Sequence, residues 1–307
     1  MNNLDQQIKL ADAGSYDPLA TTFDRFTTCC STPLALRMIE LAGVAPSQRV
    51  LDVGSGTGLV ALQAASKVGP EGQVLGIDLS EGMLDVARAK AASADLTSRL
   101  EFRLMDAEAL EIEDRSFDVV VSLFALYHFP NPLVALREMH RVLRLQGRIV
   151  IGVGSGAPLL SWCGFLHGLR RLPEFWHALQ GRRLTAPGFL NALVEKHFPS
   201  SRRAEIPDWV TKTRHKKRRV RVLMREAGFR NLRTFWIGHQ VCFEDPKEFW
   251  ELQVTFSSMA RKRLARVPAE KVAALRNEFL QTCSKVQDRG GKLAYPSGAF
   301  YVKGEKE

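Results

Sequence analysis

The run Val50-Leu-Asp-Val-Gly-Ser-Gly-Thr-Gly58 constrains this chain more than any other stretch. An apolar, strand-like segment runs straight into glycines at 54, 56 and 58, and Leu59–Val68 follows at once with apolar residues at helical spacing. The backbone must therefore reverse sharply and come close to whatever sits over the turn. Glycine permits both, because it tolerates φ > 0 and has no Cβ to hold a ligand away. A strand, a glycine turn and a helix make one unit of a parallel sheet covered on both faces, and the chain repeats that grammar from Arg49 onward. Further strands are expected at Val74–Asp78, Leu100–Met105, Phe117–Leu123 and Arg148–Val153. Helices are expected at Ser80–Ala92 and Leu133–Leu143.

Composition narrows the class. With 307 residues, 45% hydrophobic and 25% charged, the chain is an ordinary globular sequence long enough for a large core and a lid. Its longest apolar run, Val119–Phe129, falls short of the ~20 residues a membrane helix needs. Met1–Leu10 contains Asp5 and no apolar h-region, so it does not read as a secretory leader, and a cytoplasmic protein is expected. Five cysteines without a C-x-x-C pair imply neither a disulfide framework nor a metal site. The charge is asymmetric. Residues 1–150 hold 14 Lys and Arg against 19 Asp and Glu, a net of −5, whereas 151–307 hold 29 against 14, a net of +15. All five tryptophans also lie in the second half.

The expected organisation is an N-terminal helical cap over 1–48, with a helix beginning at Pro33; a core over 49–153; a lid or substrate insertion over 154–213; and the end of the sheet over 214–307. This last part carries a helical insertion at 246–290. In the lid, Gly154, Gly156, Pro158, Pro173, Pro187, Pro199 and Pro207 break the rhythm, and the apolar stretch Leu159–Leu169 reads as core or pocket wall. A basic helix over Thr213–Ala227, stopped by Gly228, leads to a strand over Asn231–Phe243. Two helices, Pro246–Ala265 and Pro268–Gln287, precede a last strand near Ala299–Lys303.

Three chemistries compete for the glycine turn. A dinucleotide fingerprint counted from Gly54 needs glycine where Leu59 stands; counted from Gly56 it reads Gly56, Gly58, Ala61, a tolerated variant. A P-loop needs a lysine that does not follow Gly58. The spacing, with Asp52 heading D-x-G-x-G-x-G, resembles motif I of the class I S-adenosylmethionine-dependent methyltransferases. Three further elements agree in order. Asp78 closes the second strand 20 residues after Gly58, where a carboxylate can accept hydrogen bonds from both ribose hydroxyls. Asp106 closes the third strand in Arg-Leu-Met-Asp-Ala-Glu-Ala-Leu. The fourth strand ends in Ser-Leu-Phe-Ala-Leu-Tyr-His-Phe-Pro. The resemblance covers residues 49–153 in register and, more loosely, Leu223–Leu232. It is closest to the small-molecule branch that includes the ubiquinone and menaquinone biosynthesis C-methyltransferases.

That resemblance implies a Rossmann-like, doubly wound α/β fold with a seven-stranded sheet, and S-adenosyl-L-methionine as cofactor. It implies cofactor contacts from Asp52, Gly54, Ser55, Gly56, Gly58 and Leu123. Asp78 would take the ribose, Leu79 and Met83 would flank the adenine, the Asp106 carboxylate would face the adenine amino group, and Ala107 would offer its backbone N–H. Phe23 lies in Tyr16-Asp-Pro-Leu-Ala-Thr-Thr-Phe-Asp24, similar to the aromatic-Asp helix that closes over the cofactor in that branch. His128 and Tyr127 are the catalytic candidates, because a neutral imidazole near the methionine end can act as general base.

The expected activity is in-line methyl transfer to a small aromatic or lipid-like acceptor. One alternative is an RNA methyltransferase using the basic run Arg214-His-Lys-Lys-Arg-Arg219 as its footprint. The loop after the fourth strand lacks the Asn/Asp-Pro-Pro-Tyr/Phe that clamps a flipped base, and no Pro-Cys pair occurs, so nucleic acid is the second choice. The other alternative is a fold that binds the cofactor without catalysis. Oligomeric state is not legible.

Overall fold

The computed structural model describes residues 3–154, 183–186, 188–199 and 219–307. The expectations for Leu159–Leu169, for most of the 154–213 insertion and for the run Arg214–Arg218 lie outside those residues. The chain divides into two compact units. The first comprises Met1–Gly154, Ile206–Phe235 and Ala299–Glu307; the second comprises Ser155–Glu205 and Trp236–Gly298.

In the first unit, helices α1 (Asn3–Gly14) and α2 (Ala20–Ala42) precede strand β1 (Arg49–Val53). The chain continues through α3 (Leu59–Val68), β2 (Gln73–Asp78), α4 (Glu81–Ser93), β3 (Leu100–Leu104), β4 (Phe117–Leu123), α5 (Pro132–Val142) and β5 (Leu143–Gly154). Strands β1 to β5 pair in parallel in the order β3-β2-β1-β4-β5, with Val53 beside Ile77 and Asp78 beside Leu104. The end of β8 (Lys292–Glu305) then runs antiparallel to β5, from Gly154 opposite Ala299 to Arg148 opposite Glu305.

Burial on both faces explains the near-continuous apolar strands. Leu51, Val53, Leu75, Ile77, Ile149 and Ile151 pack with Leu136 and Met139 of α5 and with Met224 of α7 (Arg219–Glu226). The alternate residues Val50, Val74, Val119 and Val150 are equally buried on the other face, since successive side chains point to opposite sides of a strand. Each such side chain contributes roughly 1.5–3 kcal/mol by leaving water.

The second unit holds the short β6 (Arg183–Thr185), α6 (Gly188–His197), α8 (Pro246–Phe256), α9 (Ser258–Leu264) and α10 (Ala269–Asp288). It also contains parts of β7 (Arg230–Phe243) and β8, which run through both units. Among the described residues, four aromatic rings of this unit are engaged in packing one another. Phe279 meets Phe189 at 4.8 Å, Trp250 at 5.1 Å and Phe249 at 6.0 Å between ring centroids, and Phe249, Trp250 and Phe279 are buried. These rings therefore say nothing of an aromatic ligand.

Several expectations are corrected. The hydrogen-bonded sheet links eight strands rather than seven, because β8 continues past its β5 partner to pair β6 and because β7 also joins β8. Pro33 does not open a helix but lies inside α2. Proline lacks only the N–H toward the Cys29 carbonyl one turn back, and Cys29 is exposed, so that carbonyl is within reach of water. The helix expected over 246–265 is two helices, because the Ser257 hydroxyl caps the second by accepting from the Ala260 N–H. The charge split does not follow the units, since Ile206–Phe235 belongs with the acidic N-terminal part.

Candidate active site

The carboxyl ends of β1 to β4 and the turns after them bring together most of the expected residues, as open α/β sheets dictate. The glycine turn is held from below by Gly54 and Ser55 N–H groups, both donating to the Ile77 carbonyl at 2.8 and 2.9 Å. Its three glycines have different reasons. A side chain at Gly54 would collide with Ala125 Cβ at 2.2 Å, and one at Gly58 with the Phe102 ring at 2.7 Å. These two let the loop after β4 and the strand β3 pack on the turn. Gly56 has φ +51° and would project a side chain into open space, so it is the glycine whose bare backbone faces a ligand.

Asp78 ties the turn to α4. Its Oδ2 accepts from the Gly56 N–H at 2.8 Å, and its Oδ1 accepts from Leu79 and Ser80 N–H groups at 2.8 and 3.0 Å. Burial pushes its carboxyl above the ordinary value, opposed by these three donors and by the nearby His128. A carboxylate has about four lone-pair sites, so three are engaged by the protein and one remains for a ribose hydroxyl. A carboxylate that accepted from both ribose hydroxyls would therefore share or exchange one of these three donors. Leu79 is half-buried beside Asp78, and Met83 is buried in the first turn of α4, whose N-cap Ser80 accepts from the Met83 N–H at 3.3 Å.

Beneath the turn lies an unusual set of polar atoms. Asp52 is 1% exposed, its Oδ2 has no partner, and Ser55 Oγ and Thr57 Oγ1 are likewise buried and unpaired. Burial raises the Asp52 carboxyl to about 7, a hydrogen bond from the Ala61 N–H lowers it in part, and the charge of Asp78 raises it further. Unsatisfied buried polar groups cost about 1–3 kcal/mol each, and a cluster of three beside a bare glycine suits a ligand that is itself polar.

The third strand leads to Asp106, whose side chain is 26% exposed and whose carboxylate already has partners within the protein. Lys9 of α1, 5% exposed, places its ammonium 3.0 and 2.8 Å from the two Asp106 oxygens and 3.2 Å from Glu108 Oε2. Asp106 Oδ1 also accepts from the Glu108 N–H at 2.9 Å. Glu108 in turn accepts from the Asn131 backbone and side-chain amides. Ala107 is buried in the core behind this network, so its side chain is structural.

After β4 the chain turns out through Phe124 at φ +65°, a conformation costing a non-glycine residue about 1–3 kcal/mol. Leu123 ends the strand half-buried beside Gly152. A 3-10 turn, Leu126–His128, carries both catalytic candidates. Tyr127 packs against the core with its hydroxyl buried and unpartnered, and desolvation pushes the phenol above its ordinary value, disfavouring the phenolate. His128 instead stands at the surface, its Nδ1 3.0 Å from Asp12 Oδ2 and its ring edge-on to Tyr16 at 5.9 Å. Phe23 meets Tyr16 at 5.8 Å.

Sequence reasoning missed four of the residues that close this side. Asp17 accepts from the Ser80 hydroxyl at 2.6 Å and the Gly82 N–H at 3.1 Å, and a side chain at Gly82 would strike the Asp17 backbone at 2.8 Å. Asp17 had a signal in Tyr16-Asp17-Pro18. Lys9, Asp12 and Glu108 had none, since their partners lie 97, 116 and 23 residues away. Among the described residues no His, Cys, Asp or Glu cluster could hold a metal, and no helix is long and apolar enough to cross a membrane.

Residues 51–151 match a family model described as a methyltransferase domain. The chain is 41% identical over 125 residues to the ubiquinone/menaquinone biosynthesis C-methyltransferase UbiE of Ectopseudomonas mendocina, covering 40% of this chain and 49% of that protein. It is 33% identical over 145 residues to the aklanonic acid methyltransferase DauC of a Streptomyces species, covering 47% and 66%. The chain thus spans about half to two thirds of the length of these relatives. Among solved structures, the YcgJ protein of Bacillus subtilis superposes with a TM-score of 0.50 at 20% identity, over 89% of this chain and 98% of that one. The [4+2]-cyclase SpnF does so with 0.52 at 18%, over 97% and 96%. At such identities these two speak for the fold alone.

Proposed function

We propose that the chain uses the methyltransferase domain matched over residues 51–151 to transfer a methyl group from S-adenosylmethionine to a small aromatic or lipid-like acceptor. The observation that carries the reading is the turn itself. Gly56 presents bare backbone at φ +51° over three buried, unpaired polar atoms, with Asp78 at its rim. The residues fit the cofactor. Gly54, Gly56 and Gly58 would shape its bed, and Asp52, Ser55 and Thr57 would meet its polar groups. Asp78 would take ribose, and Leu79, Met83 and Asp106 would line the adenine end. When bound, S-adenosylmethionine supplies a methyl group on a sulfonium, an electrophile open to in-line attack.

The protein's share of the rate is then alignment and desolvation, which can supply several kcal/mol without a covalent intermediate. His128, rather than the core-packed Tyr127, is the residue to take a proton from the acceptor. The acceptor class is drawn from the relatives that act on ubiquinone or menaquinone precursors and on aklanonic acid, not from the aromatic residues of the second unit.

Calorimetric titration with S-adenosylmethionine and its demethylated product tests the site. Gly56→Val should lower the affinity by about 100-fold or more, equivalent to roughly 3 kcal/mol, since a β-branched residue is strained at this φ and fills the space above the turn. Unchanged affinity in a folded variant would overturn the assignment. Labelled-methyl transfer to a panel of quinols and phenols tests the activity. Binding without transfer to any of them would favour the non-catalytic alternative.

A further inference from the structure

Asp12 belongs to no motif, yet it makes the only ion-pair contact His128 has among the described residues. We propose that Asp12 is a positioning residue that holds the His128 imidazole as its Nδ1–H tautomer, leaving Nε2 as the basic nitrogen. This rests on the methyl-transfer reading above, because a base at this place has work only if an acceptor loses a proton there.

Three observations point the same way. First, the distance and partner atoms are specific: Nδ1 lies 3.0 Å from Asp12 Oδ2, and an ionised carboxylate can only accept, so Nδ1 must carry the proton. Second, the carboxylate is shielded where the imidazole is not. The Asp12 side chain is 17% exposed and that of His128 is 48% exposed, which is the arrangement of a buried orienting acid behind an accessible base. Third, α1 cannot drift freely. Lys9, one turn before Asp12, is anchored on Asp106 and Glu108, and Asp17 just beyond the helix is anchored on Ser80 and Gly82. The backbone that carries the imidazole is also fixed, by the His128 main-chain N–H donating to the Ala125 carbonyl at 2.8 Å. The groups facing it are thus Asp12 and Tyr16 from the N-terminal segment and Asp78 from β2.

The consequence is measurable without any substrate. A free histidine side chain favours the Nε2–H tautomer, so a neutral His128 locked as Nδ1–H departs from the default. Protein labelled with 15N at histidine is examined by long-range 1H–15N correlation at alkaline pH, where imidazoles are neutral. Wild type should show His128 with a pyrrole-like Nδ1 and a pyridine-like Nε2. Asp12→Asn should reverse the pattern, because the amide can donate to Nδ1, and Asp12→Glu should restore at least part of it. Lys9→Met loosens α1 without touching the imidazole and should leave the Nδ1–H tautomer dominant. A wild-type His128 in the Nε2–H form would overturn the proposal, as would an Asp12→Asn spectrum identical to wild type. If Lys9→Met shifts the tautomer as far as Asp12→Asn does, Asp12 acts only as one more anchor of the helix and the proposal is likewise wrong. Because none of these readouts uses the methyl donor, failure here is distinct from failure of the proposed function, which the cofactor titration decides.

Discussion

Burial makes ionisation of Asp52 unfavourable, and the sign of its effect on stability follows directly. Its folded value of about 7 lies above the ordinary 3.8, so the folded state holds a proton that the unfolded state has lost between these values. Stability from this group therefore falls as pH rises from about 4 to 7 and stays low above, by up to about 4 kcal/mol for a shift of this size. Asp52→Asn keeps an oxygen for the Ala61 N–H and removes the titration. Urea midpoints at pH 5 and pH 8 should differ less in the variant than in wild type, whatever the variant's absolute stability. Parallel profiles would show that Asp52 ionises normally. Asp52 and Asp78 stood out in the sequence by local pattern, Asp52 as the acid heading the glycine run and Asp78 as the acid closing an apolar strand. What was not legible is that Asp78 already spends three lone pairs on Gly56, Leu79 and Ser80, since hydrogen-bond counts depend on where the backbone turns.

At the level of elements, strand and helix periodicity located β1, β2, β4 and α3 to within a residue, because both faces of the sheet are covered and the apolar pattern is unbroken. It failed where an element is fixed by a distant partner. β5 begins at Leu143, five residues before the apolar run that announced it, and Lys306 shows why the chain holds together there. The Lys306 ammonium donates to the carbonyls of His140, Arg141 and Leu143 at 2.7, 3.2 and 2.8 Å, closing the C-terminus of α5 with a residue 163 positions or more away. Burial lowers its ionisation from the usual lysine range, with Arg115 adding to the effect. Lys306→Met keeps most of the apolar stem and removes all three donors, and it should cost about 1–3 kcal/mol in chemical denaturation. A variant within a few tenths of a kcal/mol of wild type would mean that water replaces the ammonium. The same non-local logic hid Lys9 from the sequence: nothing in a short amphipathic helix announces a carboxylate on a strand end 97 residues on.

For the whole molecule, charge is the open question the sequence raised, and the fold relocates it. The basic excess was expected to mark a separate half, but Ile206–Phe235 falls in the unit that holds the glycine turn. Within that unit the two lie at opposite ends of the sheet. A pocket of about 280 Å3 is lined by Arg221, Arg225 and Arg230 with Phe229, Asn231 and Leu232, and none of these arginines has a carboxylate partner among the described residues. Asn231 bonds Glu305, which pairs with Arg148 near the amino end of β5. The turn at Gly54–Gly58 follows the carboxyl end of β1. Generic RNA should therefore bind this face weakly and independently of the cofactor, with an affinity that collapses between about 50 and 200 mM salt, as counterion release requires. Filter binding on the triple variant Arg221→Glu, Arg225→Glu, Arg230→Glu should show that binding lost at the lower salt, while calorimetric titration of the cofactor stays at the wild-type value. RNA binding that is tight, sequence-dependent and resistant to 200 mM salt would instead put base recognition, not bare phosphate attraction, at this face. The acceptor of the methyl group would then have to be sought in RNA.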